Sequence, residues 1–145
     1  MSRDPDLYGD DATAERLLRD TDVWVVAGLS QDQSRAAYGV ARLLQSRGKR
    51  IIPVHPRAQT VHGEQGYATV QDASFSLGPI DVVDCFVNSR RVGEVVDAAI
   101  AVGAKAVWLQ LDVIDEDAAR RARDAGLDVV MDRCPAIEYR RNPHL

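Results

Sequence analysis

Cysteine is scarce in this chain, with two in 145 residues. Cys85 and Cys134 stand far apart, and no C-x-x-C pair exists to make a redox dithiol or a zinc knuckle. One disulfide is arithmetically available, but a domain with this much apolar sequence does not need it, and a reducing compartment is the expectation. Long hydrophobic runs are missing too. None approaches the ~20 residues that cross a bilayer, so no membrane partner is expected. Basic excess is absent, since 18 Lys+Arg face 22 Asp+Glu for a formal net charge of −4. That balance argues against nucleic acid as a partner. The first residues carry Asp4, Asp6, Asp10 and Asp11 where a signal peptide would be basic and then apolar. A soluble, cytoplasmic protein is therefore expected. His55 and His62 are isolated from other ligand types, so a metal site is not expected and ordinary surface histidines are.

Apolar residues make up 46% of the chain, enough for one ordinary domain burying roughly two thirds of its unfolded surface. From Asp22 onward, short β-rich runs alternate with helical periods. Val23–Ala27 is a continuous apolar run ending at Gly28, the mark of a strand buried on both faces of a parallel sheet. Ala36, Ala37, Val40, Ala41, Leu43 and Leu44 then recur at helical spacing, with Gly48 where a helix C-terminus ends. Arg50–His55 reads as a second strand, although Pro53 belongs on a sheet edge or at a bulge. Ile80–Val87 reads as a third strand. Val92, Val95, Val96, Ala99 and Ile100 form a helical stripe closing at Gly103. Ala104–Leu111 is the next strand. A helix opening on Asp115, Glu116 and Asp117 ends on Arg120, Arg121 and Arg123, in the order the helix dipole favours. Leu127–Met131 is the last strand. Residues 1–21 read as an added N-terminal helix around Ala14, Leu17 and Leu18. The stretch 57–76 carries a short edge strand near Tyr67 and a partial helix. The expected fold is a single Rossmann-like, doubly wound α/β domain with a mostly parallel sheet.

In such a sheet, ligands sit outside the carboxyl ends of the strands, where strand order reverses. Here that crest carries Gly28–Ser34, His55-Pro56-Arg57, Phe86-Val87-Asn88 and Gln110-Leu111-Asp112. The first of these loops leads into a helix N-terminus, a natural phosphate seat. Ser30 and Ser34 add hydroxyls, and Ser34 is placed to cap that helix. Arg35 puts a cation where the dipole disfavours one, which either a bound anion or a plain solvated arginine explains. NAD is disfavoured: Gly28 stands alone where G-x-G-x-x-G is needed, and no acid ends the second strand. Arg57 there favours a phosphorylated ribose, either the 2′-phosphate of NADP or the 3′-phosphate of coenzyme A. Spacing does not separate the two.

The runs GLS at Gly28, IIPVHPR at Ile51, AVGAKAVWLQL at Ala101 and AGLDVVMDRCPAIEYRR at Ala125 together resemble the stand-alone bacterial CoA-binding domain family. That family is similar to the N-terminal CoA-binding domain of the succinyl-CoA synthetase α subunit. The resemblance spans about Thr21 to Arg141. It implies that the loop from Gly28 through Leu29, Ser30 and Gln31 to Ser34 holds the pyrophosphate of coenzyme A or an acyl-CoA. His55, Pro56 and Arg57 would then lie near the adenosine and its 3′-phosphate, and Phe86, Val87, Asn88 and Gln110 would border the pantetheine channel. Two positions depart from the family: His55 replaces a commoner asparagine, and Asp112 a usual glycine.

Synthetases of that kind use a histidine phosphorylated on a following domain, and His55, His62 and His144 sit in no matching context. With no acid–base constellation and no evident nucleophile, a binding or regulatory module is expected rather than an enzyme. An NADP-dependent oxidoreductase or redox sensor on the same fold is the alternative. A homo-oligomer, or a partner subunit that completes an enzyme, stays open. Cys134 reaches the crest beside Arg133, but packing as a small apolar residue is the simpler expectation, and Cys85 is core. Asp132, Arg133, Glu138, Tyr139, Arg140 and Arg141 are expected to pair among themselves and anchor the chain end. Trp24 and Trp108, taken to be on neighbouring strands, read as packing residues. Tyr38 is placed to flank the adenine or simply to pack.

Overall fold

The computed structural model describes residues 3–145. Met1 and Ser2, part of the N-terminal extension read above, lie outside them. Five strands form one parallel sheet in the order β2-β1-β3-β4-β5. They are β1 (Val23–Ala27), β2 (Arg50–Val54), β3 (Val82–Cys85), β4 (Ala106–Leu109) and β5 (Asp128–Met131). The helices are α1 (Pro5–Tyr8), α2 (Asp11–Asp20), α3 (Ala36–Ser46), α4 (Val70–Leu77), α5 (Val92–Ala101), α6 (Glu116–Asp124) and α7 (Pro135–Arg141). The Rossmann-like, doubly wound reading holds.

The strands are apolar throughout because both faces are covered. Val25, Ile52, Val83, Val107 and Val129 face one core with α1, α4, α5 and α6. Trp24, Val26, Ile51, Val82, Trp108 and Val130 face the other with α2, α3 and α7. Pro53 is tolerated because β2 is an edge strand. Its carbonyl is turned outward, where it accepts the Tyr67 N–H. Tyr67 makes an isolated bridge to Val54 rather than a strand.

Several sequence expectations are corrected. The N-terminal extension is two helices, broken at Gly9, whose φ is +79°. Asp10 caps the second by accepting the Thr13 N–H. The third strand is shorter than Ile80–Val87 because Phe86 and Val87 already belong to the crest. Trp24 and Trp108 do not stand on neighbouring strands. β3 lies between theirs, and the rings meet across it with centroids 5.6 Å apart. The charged cluster after β5 contains a helix, α7, with Pro135 in its first turn. Its charges pair internally only in part, because Asp132 bonds Arg3 and Arg133 also reaches Asp11, both in the N-terminal extension. Arg133 bonds Glu138 and Asp11 at 2.9 Å each, and Arg141 lies 3.6 Å from Glu138. Cys85 and Cys134 are free and buried in opposite cores.

Candidate functional site

A cleft of about 690 Å³ opens at the carboxyl ends of β1, β2 and β3. The crossover from β1 to β2 and the return to β3 leave in opposite directions there, so strand order reverses at this point. The tips supply Gly28, Ser30, Asp32 and Arg35 after β1, His55, Pro56 and Arg57 after β2, and Phe86, Val87 and Asn88 after β3. The wall comes from the start of α4 (Thr69, Val70, Gln71) and one face of α5 (Arg91, Glu94, Val95, Ala98).

Gly28 is required by the backbone. Its φ is +97°, and a Cβ there would lie 3.0 Å from the Phe86 carbonyl oxygen. Its N–H donates to the Val54 carbonyl at 2.7 Å, tying the tips of β1 and β2 together. After it the chain turns into α3. Ser34 does not cap this helix. Instead, Asp32 accepts both the Ser34 N–H at 3.0 Å and its hydroxyl at 2.6 Å, which holds the Asp32 carboxyl below its usual range. The N-cap is Arg35, which makes no side-chain capping bond. α5 begins the same way, with Arg91 as an N-cap that makes none. The first N–H groups of a helix carry partial positive charge. Both helices thus turn cation-headed ends toward one cleft. That of α5 is closed by Asn88, whose Oδ1 accepts the Arg90 and Arg91 N–H groups at 3.1 Å each, so the start of α3 is the uncapped one.

At the tip of β2, the His55 ring accepts the Arg57 N–H at Nδ1, 3.2 Å away. That leaves the proton of the neutral ring on Nε2, as a donor. Arg57 is exposed and lines the cleft. Among the described residues, Arg35, Arg57 and Arg91 make no ion pair; Arg3, Arg16, Arg19, Arg50 and Arg121 each make one, while Arg42, Arg90 and Arg140, outside the lining, make none.

Five residues singled out from the sequence lie outside this lining. Leu29 is fully buried beneath the loop in the α3-side core. Gln31 clasps the neighbouring loop. Its N–H donates to the Gln59 side chain, and its amide to the Thr60 carbonyl, both at 3.0 Å. Ser34 is held by Asp32. Tyr38 packs on His62 with ring centroids 4.3 Å apart, and its carbonyl accepts His62 Nε2–H at 2.8 Å. Gln110 is buried, with Oε1 unpartnered. Asp112 is also outside the lining. Its φ of +66° is the left-handed conformation that suits glycine best, and its N–H donates to Asp132 at 2.7 Å.

Sequence reasoning missed the α4 and α5 wall. Arg91, Glu94, Val95 and Ala98 follow the i, i+3, i+4, i+7 spacing of one helix face. A cation heading the helix after β3, as Arg35 heads α3, was the available signal. Among the described residues no cluster of His, Cys, Asp and Glu is arranged to hold a metal ion, and no helix is long and apolar enough to cross a membrane.

Known proteins share this arrangement. The chain is 28% identical over 128 residues to the uncharacterized protein YneT of Bacillus subtilis (strain 168), covering 88% of this chain and 93% of YneT. It superposes on a hypothetical protein from Pyrococcus horikoshii OT3 with a TM-score of 0.86 and 32% identity, covering 97% and 96% of the two chains. It also matches the dinucleotide-forming acetyl-coenzyme A synthetase 1 of Ca. Korarchaeum cryptofilum, with a TM-score of 0.69 and 26% identity. That match covers 81% of this chain but 27% of the synthetase. Residues 22–140 match the model of the CoA binding domain, and with them the strands, the glycine turn and the cleft just described. This chain belongs to the CoA-binding domain family.

Proposed function

We propose that the chain binds coenzyme A or an acyl-CoA in the cleft at the carboxyl end of the sheet, as a binding or regulatory module. The observation that carries this reading is the convergence of three arginines, Arg35, Arg57 and Arg91, none of them in an ion pair, on one cleft at the carboxyl end of the sheet. A ligand bearing a pyrophosphate and a separate phosphate supplies the missing anions. The uncapped start of α3 takes the pyrophosphate, with backbone N–H groups, the Ser30 hydroxyl and Arg35 around it. Arg57, at the tip of β2, takes the ribose 3′-phosphate, and His55 Nε2–H adds a donor. Phe86, Val87 and Asn88 border the exit toward β4, where pantetheine leaves. The matching part of the acetyl-coenzyme A synthetase adds support, since CoA chemistry is in that protein's name. Neither cysteine lines the cleft. Cys134 packs in the opposite core, and burial, with the neighbouring Asp84 adding to it, pushes the Cys85 thiol up.

Calorimetric titration at one salt concentration with CoA, acetyl-CoA, dephospho-CoA, NADP and NAD tests the proposal. CoA should bind and NAD should not. Arg57→Ala should weaken CoA by about tenfold or more, the worth of a charged hydrogen bond, and leave dephospho-CoA nearly unchanged. Equal losses for the two ligands would remove Arg57 from the 3′-phosphate. Binding of NADP in preference to CoA would replace the reading with the oxidoreductase or sensor alternative.

A further inference from the structure

Two carboxylates line a cleft otherwise suited to a polyanion, and they differ in one respect. Asp32 is committed to the Ser34 N–H and hydroxyl. Glu94 is exposed at the rim of the cleft, has no hydrogen-bond or ion-pair partner among the described residues, and lies beyond salt-bridge distance of Arg91, one turn earlier. The dipole of α5 favours an acid in that turn, but it does not require the acid to line the cleft. A lone carboxylate facing a phosphorylated ligand is repulsive unless the ligand offers it a hydrogen-bond donor.

The shape of the cleft identifies that donor. Below the arginine-lined crest, Val54, Val70, Val95 and Ala98 make an apolar trough between α4 and α5. Val54 is the last residue of β2, so the trough adjoins the tip where Arg57 stands. A ribose phosphate held by Arg57 therefore places its base toward the trough. A flat heteroaromatic ring suits apolar walls, and the donor on the edge of adenine is its exocyclic amino group. Resting on the CoA reading above, we propose that Glu94 is the base-specificity residue, accepting the amino group of an adenine seated between α4 and α5. A purine that lacks the amino group leaves the carboxylate without that donor and binds more weakly.

The test compares CoA with an analogue in which unsubstituted purine replaces adenine, on the wild-type protein, Glu94→Gln and Glu94→Ala. Thermal unfolding of each variant is recorded to establish folding. The wild type should favour CoA by about tenfold or more. An amide oxygen accepts less strongly than a carboxylate, so Glu94→Gln should narrow the preference. Glu94→Ala should lose it, binding both ligands to within about threefold. If the wild type binds the two equally, or if Glu94→Ala keeps the full preference, Glu94 is not the reader and the CoA assignment stands. If CoA itself does not bind the wild type, both proposals fall.

Discussion

Asp84 stands in β3, in register with Val26 on one side and Trp108 on the other. It is fully buried, and neither carboxylate oxygen has a hydrogen-bond partner. Burial pushes its pKa well above the ordinary carboxylate value. A pKa raised in the fold means a stability contribution that is whole below the unfolded value and lost as pH rises toward the folded one. Each pH unit in that window costs about 1.4 kcal/mol. Asp84→Asn should therefore gain on the wild type as pH increases from about 5 to 8, when unfolding free energies are compared by denaturant titration across that range. The difference isolates Asp84 from carboxyls such as Asp10 and Asp11, whose hydrogen bonds lower them and act in the opposite direction. A gap that does not change with pH would mean that Asp84 titrates normally. The run Ile80–Val87 made the burial of this residue legible in the sequence. Its lack of a partner was not, because neighbours on other strands decide that.

The strands were the most legible elements, because burial on both faces leaves continuous apolar runs bounded by glycine. α3 was legible from its apolar stripe and the glycine after it, and α6 from acids at its start and arginines at its end. α7 was hidden by its own charges, since Arg133, Glu138 and Arg141 are explained by a contact network rather than by periodicity. In the site, the loops directly after the strands could be placed from the sequence. The α4 and α5 wall could not, because it depends on which helix face turns toward the sheet. The turn from β1 into α3 sets the cleft and offers a direct test. Gly28→Ala forces an L-residue to a φ of +97° with its Cβ 3.0 Å from the Phe86 carbonyl. It should destabilise the fold by about 1–2 kcal/mol and weaken CoA by tenfold or more, as denaturation and titration would show. Wild-type affinity in this variant would mean that the loop does not approach the ligand closely.

For the molecule as a whole, a ligand that binds the folded chain alone must raise its stability by mass action. CoA at a hundred times its dissociation constant should add ~2.7 kcal/mol and raise the melting temperature by roughly 5–10 °C. NAD at the same concentration should leave it unmoved in the same thermal scan. The loops are held before any ligand arrives. Gln31 clasps Gln59 and Thr60, and His62 is pinned on Tyr38. The entropy of ordering them is therefore not drawn from the binding energy.

Pro53 also bears on how copies of this chain can meet. An open sheet edge is a template on which another polypeptide can align and extend the ladder indefinitely. At β2 the outward carbonyl of Pro53 is already taken by Tyr67, and the proline nitrogen has no hydrogen to offer. Proline and the bonded Tyr67 blunt that border against a further strand, which works against zipping of backbones into a fibre there.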